Sequence, residues 1–293
     1  MKYRGLTELS RRLAKKLRRP AKLKSIVARP EGGSGVVSLS EAAHTPEGVA
    51  ALFENFKGLH GEDFARLVRA LDQHGLVLMK DKFSAHFLKS LRLTAQTVVD
   101  VGVNYGTYGL YSAFPGAKFV LIDPNPVDFS PCIARVPNMN YEFKACAAGS
   151  TNGKATFTVA SVSGHSSLVE RAKEFPGSAR ERKEVDVVRL DQLLADGGYA
   201  RPYGIKIDTE GFELEVLKGC TGILPDVEFI IAELCIKRIF PGSYHVSDVV
   251  HYLGERGFEL FDVLNARGWA PNHLDCLFLR RDDPRFKFEP KRV

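Results

Sequence analysis

Long apolar runs and paired cysteines are both missing from this sequence. No apolar run reaches the roughly 18 residues that a membrane-spanning helix needs, so we expect no such helix. The five cysteines are odd in number and no two stand two residues apart, which argues against a disulfide framework and against a zinc ribbon. Free cysteines in apolar runs are typical of core residues in a reducing compartment, and we therefore expect a cytoplasmic protein.

Acidic side chains are nearly absent from the first 30 residues. This segment holds eleven Lys or Arg and one acid, Glu8, for a net charge of +10, whereas the remainder holds 30 basic and 34 acidic residues, or −4. The net charge of +6 therefore comes from an N-terminal arm. Because nucleic-acid binding needs cations clustered on the folded surface, the mildly acidic body argues against a nucleic-acid partner.

The basic arm, residues 1–30, carries leucines at a helical spacing. Leu6, Leu9, Leu13 and Leu17 follow one another at steps of three, four and four, which places them on one helix face with mostly Lys and Arg on the others. Three interpretations stay open. The arm is a solvated helix lying on the body, a peripheral contact with an anionic membrane, or a transit peptide.

The rest of the chain divides into two parts. Residues 31–95 contain a Gly-, Pro- and Ser-rich linker followed by a helical stretch, which we interpret as a cap. Residues 96–293 alternate short β-branched runs with helical patterns, which predicts an α/β fold with a doubly wound, seven-stranded, mostly parallel sheet. An extra strand pair, residues 155–161 and 184–190, interrupts the alternation, and the polar loop between them is expected to lie over the site. The seven expected strands are Thr97–Val101, Lys118–Ile122, Tyr141–Ala147, Tyr203–Ile207, Val227–Leu234, Phe258–Val263 and Cys276–Arg280.

The G-x-G-x-x-G fingerprint of dinucleotide-binding sites is also missing. The first strand runs into VVDVGVNYGTYG, which contains Asp100, Gly102, Asn104 and Gly106. Glycine lets a turn bend sharply and lets the backbone approach a ligand, but the spacing is not that of a pyrophosphate site. A cofactor without a phosphate, such as S-adenosylmethionine, would fit this turn instead. It carries a sulfonium cation, for which Asp100 supplies a negative charge. The same motif also fits a turn that serves only strand-to-helix packing.

The second and third strands end in residues that suit a nucleoside. VLIDPNP places Asp123 at the tip of the second strand, 23 residues beyond Asp100, about where ribose hydroxyls are held in such sheets. An Asx turn before Pro124 is the alternative. The third strand ends in ACAAGS, whose small residues from Ala147 onward leave room for a flat adenine ring.

The block GIKIDTEGFELEVLKG places two acids at the end of the fourth strand. Asp208 falls at the strand tip and Glu210 in the following turn, beside the point where open α/β sheets bind ligands. These carboxylates are suited to orient an acceptor or to accept its proton; alternatively, Asp208 caps the next helix with Lys206 as its partner ion. Together with Glu233 they would suffice for Mg²⁺ in a metal-assisted reaction. Two acids in one turn and one on the next strand need not converge, so we assign no metal site.

In this order, the blocks resemble those of the FkbM-type methyltransferases. The resemblance covers about Thr97 to Arg280 and rests on VVDVGVNYGTYG, IDPNP, ACAAGS, GHSSL, LDQLL, IKIDTEGFELEVLKG and IIAEL. It implies a class I, Rossmann-like methyltransferase sheet, S-adenosylmethionine as the cofactor, and O-methylation of a sugar, glycan or natural-product hydroxyl. One departure is Asp123, where family members more often carry Glu.

The blocks and the resemblance together assign roles to individual residues. Removal of a hydroxyl proton calls for a base near the sulfonium, and the catalytic candidates are Asp208, Glu210 and His165 of the GHSSL loop. We expect a small-molecule or glycan acceptor. Two other classes stay open: a nicotinamide-dependent oxidoreductase, against which the missing fingerprint counts, and a non-catalytic nucleoside-binding module. The predicted cofactor contacts are Asp100, Gly102, Asn104, Gly106, Asp123, Asn125 and Ala147.

Overall fold

The computed structural model describes residues 82–125, 128–161, 165–172, 179–265 and 272–287. The basic arm, and the linker and cap up to residue 81, lie outside the described residues, so their interpretations stay predictions. Among the described residues no helix is long and apolar enough to cross a membrane.

In the described part of the chain, seven strands form one sheet, in the order β3-β2-β1-β7-β8-β10-β9. β10 is antiparallel to both of its neighbours, while the pairs from β3 to β8 are parallel. This confirms the seven-stranded, mostly parallel sheet, and β1, β2 and β7 match their predicted bounds. The strands are β1 (Thr97–Val101), β2 (Lys118–Ile122), β3 (Asn140–Lys144), β7 (Tyr203–Ile207), β8 (Val227–Cys235), β9 (Phe258–Asn265) and β10 (His273–Arg280).

Helices cover both faces of this sheet, which is why its central strands lack strict alternation of apolar and polar residues. β1 is buried at every position, and successive side chains point to opposite faces. Val98 therefore packs in one hydrophobic core with Leu110, and Val99 packs in the other with Leu190. The helices are α1 (Ala85–Ser90), α2 (Tyr108–Ala113), α3 (Ser130–Ile133), α4 (Leu190–Gly197), α5 (Glu213–Lys218) and α6 (Val246–Glu255).

A second sheet of three strands contains the predicted extra strand pair. It consists of β4 (Ala147–Ala148), β5 (Gly153–Ala160) and β6 (Ala179–Val188), in the order β4-β6-β5. The antiparallel pairing of β5 with β6 confirms the strand pair.

Two predicted strand bounds near the carboxyl edge of the main sheet were wrong by three residues, whereas β8 and β9 end one and two residues later than predicted. β3 ends at Lys144, where the N–H of Cys146 turns back to the Lys144 carbonyl at 2.9 Å, and Ala147 starts β4 in the other sheet. β10 begins at His273, three residues before the predicted Cys276, because it keeps pairing with the long β8 strand. Both differences reflect pairing with distant strands, which local sequence does not encode.

Candidate functional site

The turn after β1 has left-handed backbone angles. φ is +80° at Gly102, +44° at Asn104 and +89° at Gly106. A Cβ on Gly102 would lie 1.7 Å from the backbone oxygen of Asp208, so only glycine fits at this crossing. The close approach brings the β1 turn and the end of β7 into contact.

Asp123 lies at the tip of β2, as predicted, with its carboxylate held by backbone N–H groups. Oδ2 accepts from Asn104 at 2.9 Å and Oδ1 from Asn125 at 2.8 Å. The Asx turn and the link to the β1 turn are therefore both present. Burial raises the pKa of Asp123, and the two N–H donors oppose that rise. Each carboxylate oxygen keeps a second lone pair, which is what a ribose hydroxyl would need.

A cleft of about 330 Å³ opens at this edge of the sheet. Phe157 of β5 and Leu168 of the loop after it contribute apolar lining to the cleft, and Asp123 contributes a polar group. An apolar slot with a few polar groups at one end suits an adenine ring and its ribose. The predicted cofactor residues that line the cleft are Gly102, Asn104, Asp123, Asn125 and Ala147.

Within the described part of the chain, the lining of this cleft includes neither Asp100 nor Gly106. Asp100 is fully buried. Its Oδ2 accepts from the Tyr111 hydroxyl at 2.6 Å and from the Thr107 hydroxyl at 2.9 Å, and the Lys206 ammonium lies 3.1 Å from its Oδ1. The structure thus places the Asp100 charge beneath the turn, where Lys206 neutralises it.

Three carboxylates from two strand ends converge beside the cleft. One oxygen each of Asp208, Glu210 and Glu233 lies within 4.8 Å of the others. Asp208 and Glu210 also line the cleft. The register of β7 against β8 brings Glu233 to this edge, an outcome that the sequence left open. Oxygen donors at such spacing suit a hard divalent cation, and without one they favour shared protons.

The electrostatics of this cluster favour the protonated form of two of its members. Burial, then the nearby Asp208, raises the pKa of Glu210 to about 8, although Arg171 lowers it. Burial, then Asp208 and Asp275, raises the pKa of Glu233 to about 10. Asp208 has 34% of its side chain accessible, against 9% for Glu210, and the Lys206 ammonium lies 3.4 Å from its carboxylate. It is therefore the member best placed to act as a carboxylate toward a ligand.

The loop after β5 lies against the carboxylate cluster, as expected. The Ser167 hydroxyl donates to the Glu210 carbonyl at 2.7 Å, and the Arg171 guanidinium contacts the Glu210 carboxylate at 2.7 Å. His165, at the start of this loop, is half-buried and, among the described residues, is not part of the cleft lining. Sequence reasoning missed Arg171, because nothing local in the chain indicates its partner.

A further buried acid, Glu213, shapes the turn between β7 and α5. It accepts hydrogen bonds from the Thr209 N–H at 2.8 Å, from the Gly211 N–H and from the Tyr244 hydroxyl. Burial raises its pKa, and the Tyr244 hydroxyl opposes that rise. An acid in the first turn of a helix was the available signal, and sequence reasoning did not use it.

A polar cavity of about 670 Å³ adjoins the cleft. The two share Gly102, Asn104, Tyr105 and Asp208 as a common wall. His273 lines the polar cavity, and burial lowers its pKa. The cavity therefore offers neutral and charged hydrogen-bonding groups next to the cleft, and Asp208 lines both. Its remaining polar lining includes Gly106, Thr107, Lys206, Glu233, Asn265, Asn272 and Asp275.

The sequence of this chain is similar to those of known methyltransferases. The sequence profile of the methyltransferase FkbM domain matches residues 100–260. Methyltransferase sdnD of Sordaria araneosa is 25% identical over 239 residues, which are 70% of this chain and 90% of that protein. Hexuronic acid methyltransferase AglP of Haloferax volcanii is 28% identical over 138 residues, 46% of this chain and 54% of that protein.

Solved structures of methyltransferases are also similar. One example is magnesium protoporphyrin IX methyltransferase of Synechocystis, solved with bound S-adenosylhomocysteine. The match covers 92% of this chain and 99% of that protein's chain, at 11% sequence identity and a TM-score of 0.37. The family profile spans more than half of the chain and includes the β1 turn, the β2 tip and the carboxylate cluster. The chain belongs to the FkbM methyltransferase family and is an S-adenosylmethionine-dependent methyltransferase.

Proposed function

We propose that this enzyme transfers the methyl group of S-adenosylmethionine to a hydroxyl of a sugar, glycan or natural product. The observation that carries the proposal is the position of Asp208, which belongs both to the nucleoside-shaped cleft and to the adjoining polar cavity. A group in that shared wall contacts cofactor and acceptor at once. The name of the relative AglP, a hexuronic acid methyltransferase, supports a carbohydrate acceptor.

The cofactor supplies an electrophilic methyl group, and the chain's own residues do the rest. Gly102, Asn104 and Asn125 line the cleft that would hold the cofactor, and Asp123 would offer lone pairs to its ribose. Asp208 orients the acceptor hydroxyl and takes its proton, since its carboxylate is about one-third accessible and lines both cavities. Alignment of the hydroxyl by the polar cavity adds to the rate, because in-line positioning contributes several kcal/mol.

Glu210 and His165 have supporting roles in this proposal. Glu210 is held between Arg171 and the Ser167 hydroxyl, so it fixes the loop that covers the site. His165 begins that loop and stays a prediction as an alternative base. Residues 96–293 form the methyltransferase domain, and the arm at residues 1–30 makes peripheral contact with an anionic membrane, supported by its charge of +10.

Radiolabelled S-adenosylmethionine tests the reaction. Transfer to methyl hexosides, hexuronic acids and natural-product alcohols is measured for the wild type, Asp208→Asn and, as a matched control, the exposed Asp196→Asn. We expect Asp208→Asn to lower transfer about 100-fold or more while S-adenosylhomocysteine binding persists. Undiminished transfer by Asp208→Asn would exclude its role as the base.

A metal-assisted reaction is the second candidate, favoured by the convergence of Asp208, Glu210 and Glu233 within 4.8 Å. A divalent cation there would lower the pKa of the acceptor hydroxyl. Transfer that stops in EDTA and returns with Mg²⁺ would favour this version, whereas transfer unaffected by EDTA would favour a metal-free base.

A further inference from the structure

Lys206 is a buried cation that neither the family resemblance nor the proposed reaction accounts for. It is the second-last residue of β7, with 4% of its surface accessible. A buried ammonium group is costly unless each of its donors has a partner. The side chain must therefore be held there by compensating interactions of comparable strength.

Three oxygen atoms from different parts of the chain surround the Lys206 ammonium. The Gly102 carbonyl accepts from it at 2.9 Å, and carboxylate oxygens of Asp100 and Asp208 lie at 3.1 and 3.4 Å. The contact with the Gly102 carbonyl is a hydrogen bond, and the contacts with the two carboxylates are ion pairs. The contacts join the β1 turn, the β1 strand and the end of β7 at one atom.

Asp100 fixes the other side of this network. Its second oxygen accepts from the hydroxyls of Tyr111 and Thr107 on and before α2, and its side chain is fully buried. Hydrogen bonds to ionised groups in a low dielectric are strong and directional. The Asp100 carboxylate therefore has little freedom, and neither does the ammonium bound to it.

We propose that Lys206 is a positioning residue that holds the cofactor-binding turn at Gly102 and the Asp208 carboxylate in one arrangement. Asp100 acts through Lys206 and not by contact with the cofactor. This inference rests on the proposed function only for the role of Asp208; the part that concerns Gly102 requires nothing beyond cofactor binding. An error of about 1 Å in such a site is enough to weaken catalysis strongly.

A purely structural role of Lys206 and a positioning role predict different cofactor affinities for its variants. Lys206→Met alone leaves the Asp100 charge buried and unpaired, so it destabilises the fold for a trivial reason. The double variant Asp100→Asn, Lys206→Met removes one charge of each sign and leaves the net charge of the site unchanged. Any loss of affinity in a stable double variant then comes from the lost arrangement.

The experiment is calorimetric titration of the full chain with S-adenosylhomocysteine, with melting temperatures measured in parallel. We expect the double variant to melt above Lys206→Met yet to bind S-adenosylhomocysteine about tenfold more weakly than the wild type or worse. Asp100→Asn alone leaves the ammonium on Gly102 and Asp208 but removes the carboxylate that fixes it, so its affinity should fall by less than that of the double variant. Lys218→Met, which removes an exposed ion-paired lysine, is the matched control and should bind normally.

Two results would overturn the proposal. One is a folded double variant that binds S-adenosylhomocysteine as tightly as the wild type, which would make Lys206 a structural ion only. The other is an Asp100→Asn variant that binds more weakly than the double variant, because Lys206 would then contribute nothing to binding and Asp100 would act independently of it. Neither result depends on the acceptor, so a failure of the proposed O-methyl transfer would be seen separately, in the assay with radiolabelled cofactor.

Discussion

At the scale of single residues, the acids of the site differ in burial and partners, and these differences separate their roles. Asp100 is fully buried and paired with Lys206. Asp123 is held by two backbone N–H groups, whereas Asp208 is about one-third exposed beside the cleft. Glu233 is half-buried among other carboxylates. Acidic residues that look equivalent in the sequence therefore have different surroundings in the fold.

Asp123→Ala should weaken S-adenosylhomocysteine binding about 10- to 100-fold, because the variant loses the ribose acceptor and the link to the Asn104 N–H. Calorimetric titration measures the change. Asp128→Ala, which removes an exposed acid five residues away, is the control and should bind like the wild type. Equal affinities for both variants would show that ribose is not held at the β2 tip.

Glu233 should make stability fall as the pH rises. Its pKa is raised to about 10 in the fold, above the value near 4.3 of an unfolded glutamate. The stabilisation of the protonated form is complete below the unfolded value and is lost as the pH approaches 10. Glu233→Gln mimics the protonated acid and removes this dependence.

Denaturant unfolding at pH 6 and pH 9 checks that dependence. The stability of Glu233→Gln relative to the wild type should increase by about 1–3 kcal/mol between the two, below the limit of about 1.4 kcal/mol per pH unit. Glu259→Gln alters an exposed acid and should show no such trend. Parallel curves for wild type and Glu233→Gln would mean that Glu233 is ionised throughout.

At the scale of elements, the site is made where turns from separate strands touch. The β1 turn crosses the end of β7 with no room for a side chain at Gly102. The loop after β5 reaches the turn after β7 through Ser167, and that turn is tied down by Glu213. None of these contacts belongs to a single helix or strand, so the site depends on how the elements are stacked.

Gly102→Ala should disturb both the fold and the site. Its Cβ would meet the Asp208 carbonyl at 1.7 Å, and its φ of +80° is unfavourable for alanine. We expect a loss of about 2–4 kcal/mol in the free energy of unfolding and little S-adenosylhomocysteine binding. Thermal melting and calorimetry test this, with Gly116→Ala as the control, because a Cβ there meets nothing within 4 Å. A normal melting temperature for Gly102→Ala would contradict the described crossing.

At the scale of the whole molecule, charge is divided between the arm and the body. Residues 1–30 carry +10 and the remainder −4. Basic clusters of this kind are attracted to anionic lipid surfaces, and the attraction is screened by salt. The sheet edge that we propose as the cofactor site belongs to the acidic body, so membrane binding and cofactor binding should be separable.

Deletion of residues 1–30 should lower binding to phosphatidylserine-containing vesicles about tenfold or more at low salt. Vesicle co-sedimentation measures this, with neutral vesicles and high salt as comparisons. Affinity for S-adenosylhomocysteine should be unchanged in the deletion variant. Undiminished binding to anionic vesicles would show that the arm does not make the membrane contact.

Much of this protein could be predicted from local patterns along the chain. Strand–helix alternation indicated a seven-stranded, mostly parallel sheet, and β1, β2 and β7 have their predicted bounds. The acids at strand tips, Asp123 and Asp208, were visible because parallel strands end at one edge of the sheet. The order of the motifs also indicated the FkbM family, which the family profile confirms.

Only the tertiary structure decided which of those residues meet. Glu233 joins Asp208 through the register of β8 on β7, and Arg171 reaches Glu210 from a loop 39 residues away in sequence. Asp100 was predicted to face the cofactor but is covered by Lys206 and α2. Local sequence specifies which segments form strands, helices and turns. Burial and charge pairing depend instead on neighbours that packing brings together.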